Sequence, residues 1–329
     1  MSQPRVRIAM LGTGYAAEIH SKSLRAVARD SAEWWYASRD GSRASAMASR
    51  FGGRGAFGSY EQAIDSREVD AILIALPPSL HREWALRALA AGKHVIVEKP
   101  PFMTVNDFDE VTGAAKTANR QLLVAENYFY KPLTAALRRI VEHHDLGSIL
   151  LVQLNALKRQ QTSGWRTDSA MAGGGALFEG GIHWVSLLSN VGLTPVRVRA
   201  SFAGRAEAST GRASGSERTA VLTIEYAEGA VGTLSYSWDL PALVNGLRMS
   251  RIYGTEGVLR FETNGIFGLA AGRRFRFLWP GVSDLAGYRA MMNDFVSAIH
   301  ANRPPAYTVT LARRDLDLVA RAYASASAA

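Results

Sequence analysis

The apolar run Arg7-Ile8-Ala9-Met10-Leu11 stops at Gly12-Thr13-Gly14-Tyr15-Ala16-Ala17, and a helix-forming stretch follows through about Arg29. In a Gly-x-Gly-x-x-Ala turn the first glycine allows a tight bend and the second lets the backbone approach a pyrophosphate. The small third residue lets helix and strand pack closely, and the helix N-terminus faces the phosphates. A bare glycine pattern says little. Placed between a strand and a helix, this one commits the chain to begin as a parallel α/β sheet with a dinucleotide-binding turn.

The next strand, Glu33–Ala37, ends at Ser38-Arg39, with Arg43 one turn further on. An acidic residue near this point bonds the ribose hydroxyls of NAD, whereas an arginine accommodates the 2′-phosphate of NADP. Ser38, Arg39 and Arg43 therefore predict a preference for NADP(H) over NAD(H). Asp40 takes the acidic role if the register is shifted by two.

Strand and helix then alternate: strand Val69–Leu76 ended by Pro77-Pro78, helix Leu80–Ala91, strand Val95–Val97, helix Val105–Asn119 and strand Leu122–Ala125. This spacing predicts a Rossmann-type doubly wound parallel sheet over residues 1–125. The strand Val95-Ile96-Val97 runs into Glu98-Lys99-Pro100-Pro101. Proline removes a backbone donor and turns its predecessor away from helix, so Lys99 is placed at the carboxyl edge of the sheet, where open α/β sheets bind ligands.

After Glu126-Asn127-Tyr128 the rhythm changes. A helix at Pro132–Glu142 and a strand at Ile149–Leu157 precede the alternating runs Val196–Ala203, Thr219–Tyr226, Val231–Trp238, Leu247–Tyr253 and Val258–Glu262. Gly229, Gly254 and Gly257 mark turns between antiparallel neighbours. Residues 126–329 thus read as an α+β domain with an open, mainly antiparallel sheet. They close with helices at Tyr288–His300 and Ala312–Ala324 and a frayed Ser325–Ala329. An open sheet has a face to cover, which predicts a homodimer or homotetramer through this domain.

The chain has no cysteine, which excludes disulfides, thiolate metal sites and cysteine nucleophiles. Its net charge of +9 is spread along the sequence, the densest cluster being Arg273-Arg274-Phe275-Arg276. No basic block of the kind nucleic-acid binders use is present, and no run approaches a membrane span. A cytoplasmic protein with neither partner is the expectation, its charge giving a weak preference for anionic ligands.

A second constellation follows Trp165-Arg166. Gly173-Gly174-Gly175 reads as a flexible entry to a helix carrying Glu179 and His183 at i and i+4, hence on one face. The carboxylate can orient the imidazole or stabilise its charge. On spacing alone, a core histidine with a satisfied hydrogen bond is the slightly better reading. One Glu and one His are thin for a metal site, and none is expected. Tyr128, Tyr236, Trp238 and Tyr288 are candidates for lining a pocket.

The glycine turn, Ser38-Arg39, Leu76-Pro77-Pro78 followed by His81, Glu98-Lys99-Pro100 and the glycine-rich segment ending in His183 occur in that order. Together they resemble the Gfo/Idh/MocA family, that of glucose–fructose oxidoreductase, inositol dehydrogenase and their relatives, over nearly the whole chain. The resemblance implies a Rossmann domain, an open-sheet α/β domain used for dimer or tetramer contacts, and hydride transfer between nicotinamide and a secondary alcohol or ketone of a sugar, cyclitol or related compound. By position, Lys99 matches the catalytic lysine and His183 the catalytic histidine. Glu179 stands where many members have an aspartate, one methylene shorter. Gly12, Thr13, Gly14, Tyr15, Ala16, Ser38, Arg39, Arg43, Leu76, Pro77, His81, Glu98 and Lys99 fall at cofactor positions. Asn127, Trp165 and Arg166 fall where relatives contact nicotinamide or substrate. Glu98 is expected to hold the ring carboxamide or Lys99. Two other activities exist in such a family: a dinucleotide-binding regulator without turnover, and a redox-neutral glycosidase that reduces and reoxidises bound cofactor.

Overall fold

The computed structural model of the protein describes residues 4–27, 31–203, 216–240 and 247–327. Its N-terminal part runs β1 (Val6–Leu11), α1 (Tyr15–Val27), β2 (Ala32–Ala37), α2 (Gly41–Phe51), β3 (Gly55–Phe57), α3 (Tyr60–Asp65), β4 (Ala71–Ile74), α4 (His81–Ala90), β5 (His94–Glu98), α5 (Val105–Thr117) and β6 (Leu122–Ala125). The predicted continuation of α1 to Arg29 falls partly outside the described residues. The strands form a six-stranded sheet in the order β3-β2-β1-β4-β5-β6, parallel throughout. Ile8, Ile72, Leu73, Val95, Ile96 and Val97 are fully buried, as a sheet covered on both faces requires. The order reverses between β1 and β4, which opens a crevice at their carboxyl ends. Short β3 and α3 had no periodicity long enough to announce them.

The second part runs α6 (Pro132–Glu142), β7 (Ile149–Leu157), α7 (Ser169–Ala172), α8 (Ile182–Ser189), β8 (Pro195–Phe202), β9 (Thr219–Tyr226), β10 (Val231–Ser237), β11 (Met249–Gly254), β12 (Gly257–Glu262), β13 (Gly268–Ala271) and β14 (Phe275–Leu278). Its eight strands follow the order β14-β13-β12-β11-β7-β10-β9-β8. Only the β7–β10 pair is parallel among those described. Side chains alternate: Ala220, Leu222, Ile224 and Tyr226 of β9 are buried, while Val221 between them is exposed. Helix α8 packs on β7 and β10. Gly229, at φ +87°, makes the β9–β10 turn, a conformation only glycine adopts without strain.

Two C-terminal helices follow, α9 (Tyr288–Ala301) and α10 (Val309–Ser327). The compact units are Met1–Glu126 with Tyr288–Arg313, and Asn127–Gly287 with Arg314–Ala329. This corrects the expectation that everything from 126 onward is one domain. Helix α9 packs on α1, Ser23 Oγ donates to Tyr288 O at 2.9 Å, and Arg313 bonds both Asp109 oxygens at 2.6 and 2.7 Å. Contiguity in sequence does not decide which core an amphipathic helix covers. The frayed end predicted at Ser325–Ala329 is also corrected as far as Ser327: Ser325 Oγ accepts the Ala200 N–H at 2.9 Å, and residues 328–329 lie outside the described part. No described helix is long and apolar enough to cross a membrane.

One half-buried base ties β5 to the segment before β6. His94 Nδ1 accepts the Gln121 N–H at 3.0 Å, so protonating that atom breaks the bond. Burial first, and then the charge of Arg120, push its pKa from 6.5 down to about 4. The unfolded chain therefore takes up this proton before the folded one does. The stabilising contribution is full above about pH 6.5 and is lost as pH falls toward 4. Urea midpoints measured across that window are expected to fall with pH, and His94→Gln to flatten the fall. An unchanged slope in the variant contradicts the assignment.

Candidate active site

In the first unit the glycine turn is shaped by close approach. Gly12 has φ +107°, and a Cβ there would sit 2.6 Å from Ala75 O, so no other residue fits. Its N–H donates to Ala37 O at 3.0 Å. Gly14 and Tyr15 are exposed, Thr13 and Ala16 partly so, and a Cβ on Gly14 would meet nothing within 4 Å. Helix α1 thus presents its first-turn N–H groups, which have no intrahelical partner, to open space at the end of β1. These residues fit a dinucleotide's pyrophosphate. Ala17, the third small residue, is fully buried.

At the end of β2, Ser38 is buried while Arg39 and Arg43 are exposed. The Asp40 carboxylate accepts from Ser42 N at 3.0 Å and Ser42 Oγ at 2.6 Å. It is therefore occupied as the N-cap of α2, and these bonds hold it below the usual carboxylate range. Burial pushes the Tyr60 phenol up against the charge and hydrogen bond of Arg39.

Leu76 and Pro77 follow β4 as partly exposed loop residues. The His81 side chain is enclosed by backbone carbonyls. The ring is 1% exposed, with Nδ1 3.0 Å from both Pro100 O and Pro101 O and Nε2 2.8 Å from Leu76 O. It joins the turn after β4 to the turn after β5. Burial, the largest influence, keeps it below the usual histidine range.

The turn after β5 carries Glu98 and Lys99, with a cis peptide between Lys99 and Pro100. Glu98 is 9% exposed. Its Oε1 lies 2.5 Å from His20 Nε2, and its Oε2 accepts the Lys99 N–H at 3.0 Å. Burial raises its pKa, but the bond and charge of His20 and the charge of Lys99 outweigh it and leave a net lowering. The carboxylate thus steadies the backbone of Lys99, which is itself partly exposed. Sequence reasoning missed His20. The signal was present: Ala17, His20, Ser21 and Leu24 share one face of α1, and all but the histidine and serine are apolar. A histidine on such a face needs a buried partner.

In the second unit the glycines near His183 are crowded, which corrects the flexible entry expected of them. A Cβ on Gly174 would approach Phe178 Cβ to 2.6 Å, one on Gly175 would collide with Glu217, and one on Gly180 with the Tyr236 hydroxyl. Leu177–Gly181 is a π-helical turn leading into α8. Glu179 is buried, and Arg166 Nε donates to its Oε1 at 3.0 Å. Arg166 lies over the Trp165 ring, 4.4 Å from its centroid, on a 3₁₀ turn at Gly164–Thr167. The His183 ring stacks on Tyr128, centroids 4.2 Å apart and planes 13° apart. Asn127 Nδ2 donates to Ala286 O at 2.7 Å. Of the four aromatic pocket candidates, Tyr236 and Trp238 are core residues, 1% and 4% exposed. The Trp238 Nε1–H donates to the Tyr236 hydroxyl at 2.8 Å. Tyr288 belongs to the first unit, edge-on to His20 at 5.7 Å. No three His, Cys, Asp or Glu side chains gather as a metal site among the described residues.

Residues 6–126 match the family model described as an oxidoreductase family with an NAD-binding Rossmann fold, and residues 134–260 match the GFO/IDH/MocA C-terminal domain. An uncharacterized oxidoreductase of Rhizobium meliloti is 33% identical over 147 residues, 45% of this chain and 44% of that protein. D-xylose 1-dehydrogenase (NADP(+)) 2 of Haloferax volcanii is 31% identical over 233 residues, 70% of this chain and 67% of that protein. The crystal structure of aldose-aldose oxidoreductase from Caulobacter crescentus has the same fold, with a TM-score of 0.87 at 22% identity over 99% of this chain and 98% of that one. This chain therefore spans less than half of the Rhizobium relative and two thirds of the Haloferax one.

The His20–Glu98 pair yields a direct test. Removing the partner of a buried carboxylate leaves that oxygen unsatisfied, at a cost of about 1–3 kcal/mol or more. His20→Ala is expected to lose stability on that order in urea unfolding, and His20→Gln, whose amide N–H reaches a similar point, to recover part of it. Equal stability of wild type and His20→Ala overturns the pairing.

Proposed function

The chain belongs to the Gfo/Idh/MocA family of oxidoreductases, and from that premise we propose an NADP(H)-dependent dehydrogenase or reductase acting on a secondary alcohol or ketone of a sugar, cyclitol or related small molecule. The observation that carries this reading is one of placement. The glycine turn over β1 and the Lys99 turn over β5 stand at the carboxyl edge of one parallel sheet, separated by β4. That edge is where such sheets bind a dinucleotide.

Thr13, Gly14, Tyr15 and Ala16 hold the pyrophosphate through backbone N–H groups, and Ser38, Arg39 and Arg43 receive the adenosine ribose. Two exposed guanidinium groups with the nearby carboxylate occupied as a helix cap favour a 2′-phosphate. A relative bearing NADP(+) in its name supports the same preference. Nicotinamide, when bound, supplies the carbon that gives or accepts the hydride. The chain's own task is the substrate oxygen and its proton. Lys99 donates a hydrogen bond to the carbinol oxygen and stabilises its negative charge. His183 takes the hydroxyl proton in oxidation and returns it in reduction. Glu179 and Arg166, bonded to each other, orient the helix face that carries His183, and Trp165 offers an aromatic surface to a sugar ring.

A second copy of the chain is the partner we propose for the open sheet. Leu269 and Phe277 are directly paired and are 38% and 59% exposed, with Phe275 beside them at 74%.

Turnover is read from reduced-nicotinamide absorbance with a panel of aldoses, ketoses and inositols. Lys99→Met is expected to lower kcat by about 10²–10³-fold while the Kd for NADPH stays within about twofold. Arg39→Ala is expected to weaken NADPH by about tenfold and leave NADH unchanged. Full activity in the first variant sinks the mechanism, and unchanged NADPH affinity in the second sinks the cofactor preference. Cofactor binding with no turnover on any substrate favours a regulator. Light scattering should report at least a dimer, and Phe275→Asp with Phe277→Asp a smaller species. A monomeric wild type rules out the assembly.

A further inference from the structure

Tyr128 has two groups against its ring. The His183 imidazole stacks on it at 4.2 Å, nearly parallel, and the Lys131 Nζ lies 3.9 Å from the same centroid. Lys131 is 7% exposed. Its chain passes the turn at Gly265, where a Cβ would lie 3.8 Å from Lys131 Cε. Pro132 follows it as the first residue of α6, which fixes the backbone from which the side chain departs.

We propose that Lys131 is a positioning residue: through the Tyr128 ring it holds the His183 imidazole in place and in its uncharged form, ready to accept a substrate proton. This rests on reading His183 as the proton-transfer group. The physical argument has two parts of one sign. A cation against the ring opposes a second cation there by direct repulsion. It also engages the ring's electron density, leaving the ring less able to stabilise an imidazolium.

Other groups around His183 act in both directions. Glu179, one turn earlier, favours the imidazolium, and Arg166, bonded to it at 3.0 Å, offsets that charge. Trp184 meets the edge of Tyr128 at 4.9 Å and carries Arg248 5.6 Å from its own ring centroid. Tyr236 of β10 stays a neutral phenol, its pKa pushed up by burial and by the charge of Glu179. Lys131 is the cation placed on the ring that His183 touches.

The test needs no substrate. The full chain is labelled with ¹³C at histidine Cε1, and the His183 signal is assigned by its loss in His183→Gln. Its titration midpoint is then compared in wild type, Lys131→Met and Lys131→Arg, with the His94 and His300 signals as controls of fold. Methionine keeps the packing and removes the charge, and is expected to raise the midpoint by about half to one pH unit. Arginine keeps the charge and is expected to leave it within about 0.2 unit. Should Lys131→Met not fold, Lys131→Gln gives the same reading. An unmoved or lowered midpoint in the charge-removing variant overturns the proposal. Turnover of His183→Gln is scored separately. An active His183→Gln with a raised Lys131→Met midpoint rejects the catalytic reading and keeps the coupling, and an inactive one with an unmoved midpoint does the reverse.

Discussion

A carboxylate buried at the end of a central strand is stable only with compensation, and the arrangement of the first unit depends on how Glu98 receives it. Desolvating an ion costs several kcal/mol, and here one oxygen is met by His20 and the other by the Lys99 N–H. His20 sits on α1, whose first turn is also the open amide cluster above Gly14. A single buried pair therefore links the helix whose first-turn N–H groups stand open with the turn that carries Lys99. His81 adds a second brace by joining the turns after β4 and β5. The three loops at the sheet edge are thus held to one another by buried groups.

In the second unit close packing acts beside the Glu179–Arg166 pair: Gly174, Gly175 and Gly180 stand where any side chain would meet Phe178, Glu217 or Tyr236. The helix bearing His183 is thereby pressed close to the sheet. Tyr236 and Trp238, bonded to each other and buried, form the floor, while Tyr128 supplies the flat surface on which the imidazole rests. Glu217, half-buried and raised above the usual carboxylate range by desolvation, accepts the Leu177 N–H at 2.8 Å and the Tyr323 hydroxyl at 2.8 Å. The C-terminal helix thus helps hold the segment that leads to His183.

Much of this was readable beforehand because it rests on local chemistry. A glycine turn between strand and helix, a strand ending in Glu-Lys-Pro-Pro and alternating apolar runs each follow from backbone sterics and burial over a few residues. What escaped was a matter of partners far apart in the chain. His20 and Glu98 are 78 positions apart, and nothing near either announces the other. His81 stood at a cofactor position by family resemblance; its burial among three carbonyls, which only the fold reveals, makes it a brace as well. Glycines read as flexible proved to be spacers, since sequence records the missing side chain and not what fills its place.

The sequence by itself determined the order of most of the long elements, the parallel and mainly antiparallel characters of the two sheets, and which residue types stand at strand ends and helix starts. These depend on φ/ψ preference and on periods of two and 3.6 residues, which any short window contains. Tertiary structure alone decided that Tyr288–Arg313 joins the first unit, that Asp40 is occupied as a cap, and that His183 shares a ring with Lys131. Those outcomes turn on which surfaces meet once the chain is compact, and desolvation, charge pairing and close packing act only between groups already brought together.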